Sequence, residues 1–145
     1  MRVEDRMTRD PVTVRADQTV RAAAELMRAH NIRHLPVVDE EENLVGMLTD
    51  RDIRHVRFAP AMRTPAPEQP SLLDQLRVQE IMSSPAVTTT PLADLPAAAT
   101  TMYERKIGAL PVVLQGRVVG IISEIDLLKA FAEMTGREAQ AGPED

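Results

Sequence analysis

Two short motifs in the sequence place a hydroxyl and a carboxylate three residues apart: Thr49-x-x-Asp52 and Ser123-x-x-Asp126. Each motif follows an apolar run that begins with glycine, so we expect it where a strand leads into a helix. Free N–H groups and the helix dipole favour an anion at such a junction, and a carboxylate can accept hydrogen bonds from both ribose hydroxyls. The same spacing is typical of a capping box, in which the two side chains bind backbone N–H groups. The motifs therefore indicate either nucleoside binding or a pair of helix caps.

The two motifs belong to a sequence unit that occurs twice in the chain. Residues 3–38 align with residues 78–113 at a constant offset of 75, without a gap. One residue is then lost in a turn, and an offset of 74 aligns the motif at Thr49 with the motif at Ser123. Such a duplication predicts two copies of one supersecondary structure that bury their apolar faces against each other around a pseudo-twofold axis. Clefts between the copies are natural ligand sites, so this context favours ligand contact in at least one motif, and capping can coexist with it in the empty protein.

Each copy shows the same predicted order of elements, β-α-β-β-α. Short β-branched runs predict strands, apolar residues at helical spacing after a capping residue predict a helix, and two apolar runs around a polar turn predict a β-hairpin. In the first copy these elements are a strand at 12–14, a helix after Thr19, a hairpin of 35–38 with 44–48, and a helix that begins at Thr49. In the second copy they lie at 87–89, after Asp94, at 110–113 with 118–122, and from Ser123.

We therefore expect an α/β (α+β) fold in which two β-α-β-β-α repeats pack sheet to sheet with pseudo-twofold symmetry. Repeat 1 is expected to occupy residues 1–57 and repeat 2 residues 78–135. Residues 58–77 are predicted to be a proline-rich linker followed by a short helix, because the four prolines of 58–70 rule out a helix or an interior strand there. Residues 136–145 are expected to form a flexible tail.

The composition of the chain excludes several classes of protein. A chain of 145 residues with 43% apolar side chains can bury one core, so we expect one compact domain made of two halves. A net charge of −5 argues against a nucleic-acid binder, which needs a surplus of Lys and Arg. No apolar run approaches the ~20 residues of a membrane span. The chain also contains no cysteine, and we expect a cytoplasmic protein.

Six fragments of the sequence, three in each copy, resemble the CBS domain, which is named after cystathionine β-synthase. In the first copy they are Met7-Thr8-x-x-Pro11-Val12-Thr13-Val14, Ile32-x-His34-Leu35-Pro36-Val37-Val38-Asp39 and Gly46-Met47-Leu48-Thr49-x-x-Asp52. In the second copy they are Met82-Ser83, Ile107-Gly108-Ala109-Leu110-Pro111-Val112-Val113 and Gly120-Ile121-Ile122-Ser123-x-x-Asp126. The resemblance covers nearly all of the chain outside the linker and the tail. It implies a tandem pair, often called a Bateman module, that binds AMP, ADP, ATP or S-adenosylmethionine and regulates another protein.

The resemblance also implies two ligand sites, each made by the motif of one copy and the segment before the first strand of the other. Ligand-binding site 1 would consist of His34, Leu48, Thr49, Asp52, Ser83, Ser84 and Val87, with Arg33 and Arg51 as nearby cations. Ligand-binding site 2 would consist of Thr8, Arg9, Val12, Ala109, Ile122, Ser123 and Asp126. At the positions that match this part of site 1, the second copy has Gly108, Ala109, Glu124 and Ile125 and so lacks positive charge. We therefore expect site 1 to bind the phosphorylated ligand, and His34 to titrate near neutral pH.

Other residue patterns give weak indications of further chemistry. His30 and His34 have the spacing of a helical metal pair, but Asn31 and the Leu35-Pro36 strand imply that the helix ends between them. The acidic run 39–42 lacks the glycine of a calcium loop and indicates a solvated hairpin turn. The serines and threonines have no duplicated base partner. We therefore expect no metal, no required cofactor and no catalytic residue.

These observations favour a regulatory module that senses an adenosine-type nucleotide and signals to a separate, unknown effector protein. Two alternatives remain open, a ligand-independent dimerisation adaptor and a small nucleotide-hydrolysing enzyme. The resemblance further implies a homodimer packed through helices, with 19–27, 53–58 and their second-copy equivalents at the interface.

Overall fold

The computed structural model of the protein describes residues 1–58 and 71–141. Its helices and strands confirm an α+β fold with two sheets. Repeat 1 contains β1 (Thr8–Arg9), β2 (Val14–Arg15), α1 (Val20–His30), β3 (His34–Val38), β4 (Leu44–Thr49) and α2 (Asp50–Arg57). After the short helix α3 (Leu72–Gln75), repeat 2 contains α4 (Leu95–Arg105), β5 (Ala109–Leu114), β6 (Arg117–Ser123) and α5 (Glu124–Ala141). The proline-rich part of the predicted linker, 59–70, lies outside the described residues.

The two sheets are completed by an exchange of chain segments between the repeats. One sheet has the strand order β2-β3-β4 and the other has the order β1-β6-β5. Strand β1 comes from repeat 1 but pairs antiparallel with β6 of repeat 2, with Thr8 opposite Ile121. At the equivalent place in the other sheet, Ser83 of repeat 2 forms an antiparallel bridge with Met47 of β4. Each sheet therefore carries, along one edge, the segment that precedes the first strand of the other repeat.

Matched backbone hydrogen bonds show the pseudo-twofold symmetry of this exchange. The N–H of Val20, at the start of α1, donates to the carbonyl of Leu76 at 2.9 Å. The N–H of Leu95, at the start of α4, donates to the carbonyl of Met1 at 2.9 Å. The offset of 75 relates both the donors and the acceptors, so the same contact is made in both directions.

The exchange also anchors each segment in the hydrophobic core of the other repeat. Val78 of repeat 2 is fully buried in the core that is otherwise formed mainly by α1, α2 and the β2-β3-β4 sheet. Val3 of repeat 1 is fully buried in the core formed by α4 and the β1-β6-β5 sheet. Full burial of a valine stabilises a fold by about 1.5–3 kcal/mol. The two repeats are therefore held together by their cores as well as by backbone pairing.

Two glycines allow the exchanged segments to approach the sheets closely. A Cβ at Gly46 would lie 2.5 Å from the Sδ of Met82 and 2.8 Å from the carbonyl oxygen of Ser83. A Cβ at Gly120 would lie 2.5 Å from the Sδ of Met7. These separations are shorter than a van der Waals contact. A side chain at either position would therefore displace a methionine of the crossing segment, and at Gly46 it would also displace the backbone at Ser83.

The two residues predicted to cap the first helix of each repeat behave differently. Thr19 caps α1, since its hydroxyl oxygen accepts a backbone N–H at 3.1 Å. Asn31 ends α1 in the left-handed conformation. Asp94 occupies the N-cap of α4, but its side chain accepts no capping hydrogen bond. Pro96 lies in the first turn and lacks one of the N–H groups that a capping carboxylate would bind.

The first strand of each repeat differs from the prediction. Instead of residues 12–14, repeat 1 has the two-residue strand β2, parallel to β3. Instead of 87–89, repeat 2 has a single parallel bridge between Thr89 and β5. In repeat 1, the N–H of Ala16 extends the pairing by donating to β3 at 3.0 Å. Pro91 stands at the equivalent position in repeat 2, and it has no N–H to extend the strand.

Both predicted hairpins are present, since β3 pairs with β4 and β5 with β6, but the last helix is longer than predicted. The sequence predicts a flexible tail from residue 136, whereas α5 continues through Gly136 to Ala141. One glycine costs a helix only about 1 kcal/mol, and the residues that follow are good helix formers. Residues 142–145 lie outside the described part. No helix in the described ranges has the length and apolar character needed to cross a membrane.

Candidate functional site

Both hydroxyl-x-x-carboxylate motifs form capping boxes, where β4 leads into α2 and β6 leads into α5. The N–H of Thr49 donates to the Oδ2 of Asp52 at 2.9 Å, and the N–H of Asp52 donates to the Thr49 hydroxyl at 3.1 Å. The matching distances in repeat 2 are 2.9 and 3.3 Å, and the Ser123 hydroxyl also donates to the Oδ2 of Asp126 at 3.1 Å. In both boxes the other carboxylate oxygen, Oδ1, accepts no hydrogen bond from the described residues. Capping therefore leaves one oxygen of each aspartate available for a ligand.

A cavity of about 430 Å³ lies between the two repeats, beside Thr49 and Asp52. Repeat 1 lines it with the start of β3, parts of β4 and the first turns of α2. Repeat 2 lines it with parts of two segments, 83–87 and 106–111, and with Glu124. Ligand pockets in proteins commonly measure about 300–1,000 Å³. The cavity is therefore large enough for a small molecule that contacts both repeats.

The cavity forms because a segment of repeat 2 crosses the edge of β4. Ser83 and Met47 exchange two backbone hydrogen bonds, of 3.0 and 2.9 Å. The Ser84 hydroxyl donates to the carbonyl of Val45 at 2.8 Å. These bonds hold the segment near the end of β4, and residues 85–87 then provide an apolar wall of the cavity. The fold thus brings the motif of one copy together with the segment before the first strand of the other.

His34 packs against the bare backbone of the other repeat. A Cβ at Gly108 would lie 2.9 Å from the Nε2 of His34 and 3.4 Å from the Oε1 of Glu124. Burial lowers the pKa of His34 below its ordinary value of 6.5; Glu124 opposes this shift, and Arg33 adds to it. The sequence predicts titration near neutral pH, but the structure shifts it to lower pH, so the imidazole is neutral at pH 7.

Charged side chains around the cavity include more cations than carboxylates. They are Arg33, Arg51, Arg54, Lys106, Asp50, Asp52 and Glu124. Arg54 forms an ion pair with Asp50 at 3.3 Å. Within the described ranges, no carboxylate oxygen lies within 4.0 Å of the charged nitrogens of Arg33, Arg51 or Lys106. These three side chains are available for an anionic ligand.

Most residues predicted for site 1 lie around this cavity. The lining contains Arg33, His34, Thr49, Arg51, Asp52, Ser83 and Val87. Leu48 does not line it but is fully buried in the core, because successive residues of a strand point to opposite faces and Met47 and Thr49 occupy the cavity side. Ser84 is also absent from the lining, and its hydroxyl is bound to β4 instead. Neither Leu48 nor Ser84 is therefore among the residues that line this cavity, and contact of either residue with a ligand stays a prediction.

The residues predicted for site 2 are brought together only in part. Thr8 and Arg9 pair with β6, and that strand ends at Ser123. The Ser123 and Asp126 side chains form the capping box described above. This pairing is the symmetric counterpart of the one that forms the cavity beside Thr49.

Three residues predicted for site 2 have other surroundings. Ile122 is fully buried in the core of repeat 2. Like Leu48, it points to the core because successive residues of a strand face opposite sides of the sheet. Val12 packs against the core of repeat 1. Ala109 lines the cavity of site 1, because β5 begins directly after Gly108, against which His34 packs.

The sequence analysis leaves four charged residues of the cavity lining out of site 1: Asp50, Arg54, Lys106 and Glu124. Asp50 and Glu124 align at the offset of 74, directly after the two hydroxyl residues, and this shared acidic position is a signal that could identify them. Lys106 aligns with Asn31 at the end of the preceding helix. A lysine where the first copy has asparagine is a weaker signal, and only the fold places it beside a motif of the other repeat.

No group of three or more His, Asp and Glu side chains is arranged to hold a metal ion in the part of the chain that the structure describes. Helix α1 ends at His30, so His30 and His34 do not share a helix, as predicted. The carboxylate of Asp39 accepts the N–H groups of Glu41 and Asn43 at 2.9 and 3.0 Å. The acidic run is therefore a hydrogen-bonded hairpin turn.

Comparison with known families accounts for the repeated unit. The family model of the CBS domain matches the chain twice, at residues 3–58 and 78–133. The chain belongs to the CBS domain family. Two matches in succession make it a tandem CBS pair, which is a regulatory module.

Relatives of this CBS pair are similar over nearly its whole length. The CBS domain-containing protein YhcV of Bacillus subtilis is 41% identical over 137 residues, which are 94% of this chain and 89% of YhcV. The crystal structure of AcuB from Vibrio cholerae matches with a TM-score of 0.79 and 31% identity, over 99% of this chain and 98% of AcuB. The CBS domain pair of protein MJ0100, solved in complex with 5′-methylthioadenosine and S-adenosyl-L-methionine, matches with a TM-score of 0.79 and 29% identity, over 92% and 98% of the two chains.

Proposed function

We propose that this CBS pair senses an adenosine-type nucleotide, such as AMP, ADP, ATP or S-adenosylmethionine, and signals to a separate effector protein. The observation that carries the proposal is the cavity between the repeats. It combines a carboxylate and a hydroxyl at a strand-to-helix junction, unpaired cations and an apolar wall. The adenosine-type ligands of the MJ0100 pair support this ligand class.

The residues of the cavity suit separate parts of such a ligand. The free Oδ1 of Asp52 can accept hydrogen bonds from the ribose hydroxyls. The apolar segment 85–87 can contact the adenine, and Arg33 and Arg51 can bind phosphate. Neutral His34 can donate one hydrogen bond and accept another.

Ligand binding would act as a signal through the relative position of the two repeats. A ligand that contacts both repeats favours the arrangement in which both contacts are made. A partner protein responds if its affinity for that arrangement differs from its affinity for the empty one, and the coupling is then reciprocal.

Thermal unfolding with AMP, ADP, ATP and S-adenosylmethionine tests the proposal. A ligand at a hundred times its Kd adds about 2.7 kcal/mol to the free energy of unfolding. We expect stabilisation by at least one of the four, and a smaller stabilisation in the Asp52→Ala variant at the same ligand concentration. If none stabilises the protein at millimolar concentration, the sensor function is wrong.

Two alternative functions, a hydrolytic enzyme and an adaptor, can be tested with the same protein. Release of phosphate or adenosine products from ATP, ADP or AMP, lost in Asp52→Asn, would favour a hydrolytic enzyme over a sensor. A dimer whose formation and stability do not respond to any nucleotide would favour an adaptor.

We further propose a homodimer formed through the helices, as a cytoplasmic module. Large apolar side chains are exposed on α4 and α5: Tyr103 is 71% exposed, Leu128 62%, Phe131 62% and Met134 54%. Phe58, which follows α2, is 66% exposed. Exposed apolar surface of this kind is typical of an interface between proteins, and a second copy presents the same helices. Microscopy of a fluorescent fusion tests the cellular location.

A further inference from the structure

Lys106 occupies a backbone position that lysine does not favour. It ends α4 with a φ of 56°, in the left-handed region, and Asn31 ends α1 with a φ of 53°. Glycine and asparagine tolerate this region better than lysine does. A positive charge near the end of a helix offsets part of the cost through the helix dipole, but Arg105 already supplies such a charge.

Lys106 is one of the residues that line the cavity from the side of repeat 2. It therefore faces a ligand site whose hydroxyl and carboxylate, Thr49 and Asp52, belong to repeat 1. In the described part of the chain, Lys106 has no carboxylate partner within 4.0 Å. A charged side chain at an unfavourable backbone position, without an ion-pair partner and beside a cavity, fits a role in ligand binding.

Arg33, Arg51 and Lys106 together present, from both repeats, three cations without an ion-pair partner among residues 1–58 and 71–141. One phosphate group carries a charge of about −1.5 to −2 near neutral pH, so two cations are enough to neutralise a monophosphate. The carboxylates of Asp52 and Glu124 share the cavity and disfavour an anion close to them. A third cation contributed by the other repeat suits an anion that extends across the cavity.

S-Adenosylmethionine carries the opposite charge at the position where a nucleotide carries its phosphates. Its sulfonium carries a positive charge where a nucleotide carries phosphates. Placed among Arg33, Arg51 and Lys106, that charge would be repelled.

We infer that Lys106 is a phosphate-binding residue which, with Arg33 and Arg51, makes the cavity select nucleoside diphosphates and triphosphates over monophosphates and over S-adenosylmethionine. The inference rests on the proposed nucleotide site and specifies its ligand class. Because Asp52 and Lys106 belong to different repeats, a di- or triphosphate joins the repeats more firmly than a monophosphate does.

Isothermal titration calorimetry with adenosine, AMP, ADP, ATP and S-adenosylmethionine tests this assignment. The test variant is Lys106→Asn, which installs the residue that the first repeat has at this position. The matched control is Arg105→Asn, which removes the same charge from the neighbouring residue, outside the cavity lining. Both variants are first checked by thermal unfolding, and Lys106→Asn should be as stable as the original chain or more stable.

We expect the original chain to bind ADP and ATP at least about tenfold more tightly than AMP. One additional charge-assisted hydrogen bond to the longer phosphate chain accounts for a difference of this size. Lys106→Asn should lose about tenfold in affinity for ADP and ATP and stay within about twofold for adenosine. Arg105→Asn should leave all affinities within about twofold, since it does not line the cavity.

Each other outcome overturns a defined part of the proposals. Unchanged ATP affinity in Lys106→Asn, an equal loss for adenosine and ATP, or tighter binding of S-adenosylmethionine than of ADP would overturn the role of Lys106 and leave the sensor function in place. Absence of binding of all five compounds to the original chain would overturn both. If Lys106→Asn does not fold, Lys106→Gly provides the same test, because glycine accepts a positive φ.

Discussion

Met82 of repeat 2 packs directly over Gly46 of repeat 1: a Cβ at Gly46 would lie 2.5 Å from the Met82 Sδ. The same relationship joins Met7 and Gly120 in the opposite direction. The close approach lets the segment of one repeat lie along the sheet of the other, and it brings Ser83 beside the motif at Thr49. The candidate ligand site therefore depends on a glycine that is not part of its lining.

Gly46→Ala is expected to lower the free energy of unfolding by about 1–3 kcal/mol, as overpacking of a tight contact does. The new methyl group would meet a backbone carbonyl at 2.8 Å as well as the flexible Met82 side chain. Urea unfolding measures the change. Gly136→Ala is the control, since nothing lies within 4 Å of its Cβ position. Equal stability of the Gly46→Ala and Gly136→Ala variants would contradict the close crossing.

Asp52→Ala and Asp126→Ala separate ligand binding from capping. Both substitutions remove a capping box, so each should lower the free energy of unfolding by about 0.5–2 kcal/mol in urea. Nucleotide affinity should fall about tenfold or more in Asp52→Ala, because a charge-assisted contact is lost, and should fall less in Asp126→Ala. Calorimetric titration measures the affinities. Equal losses in the two variants would contradict the proposed difference between the sites.

His34 makes the stability depend on pH in a defined direction. Burial lowers the His34 pKa in the folded protein below 6.5. As the pH falls below about 6.5, the unfolded chain therefore binds more protons than the folded protein does. The folded state therefore loses stability from about pH 6.5 downward until the folded pKa is reached, and His34 contributes no change above that window. We expect His34→Gln to show a smaller loss of stability between about pH 7.5 and about pH 5.5, a range that brackets the ordinary pKa of histidine.

Urea unfolding at several pH values measures the effect of His34→Gln. His55→Gln is the matched control, because His55 is an exposed histidine on α2. An unchanged pH dependence in His34→Gln would show that His34 is not held in its neutral form by burial.

Leu128→Glu tests the proposed homodimer. Leu128 is 62% exposed on α5, and a charge introduced at the centre of an apolar interface should shift the protein to the monomer at micromolar concentration. Leu92→Glu is the control, since Leu92 has the same exposure but precedes α4 in a turn. Sedimentation velocity gives the mass of each species. A dimer that persists in Leu128→Glu and dissociates in Leu92→Glu would place the interface elsewhere.

Local rules allowed much of the fold to be predicted from the sequence. The Thr19 cap, the two hairpins and the helix starts at Thr49 and Ser123 depend on residues within a few positions of one another. The resemblance to the CBS domain implied that each motif meets the segment before the other copy's first strand, and the bridge between Ser83 and Met47 agrees with that expectation.

The sequence by itself determined the two repeats, their order of elements and the positions of both capping motifs, because these features are encoded by short-range spacing. Only the tertiary structure decided that Leu48 lies in the core, that Ala109 lines the first cavity and that Lys106 faces a motif of the other repeat. Those placements depend on which strand face is buried and on how segments distant in the chain cross. Packing sets both, and no local pattern in the sequence specifies them.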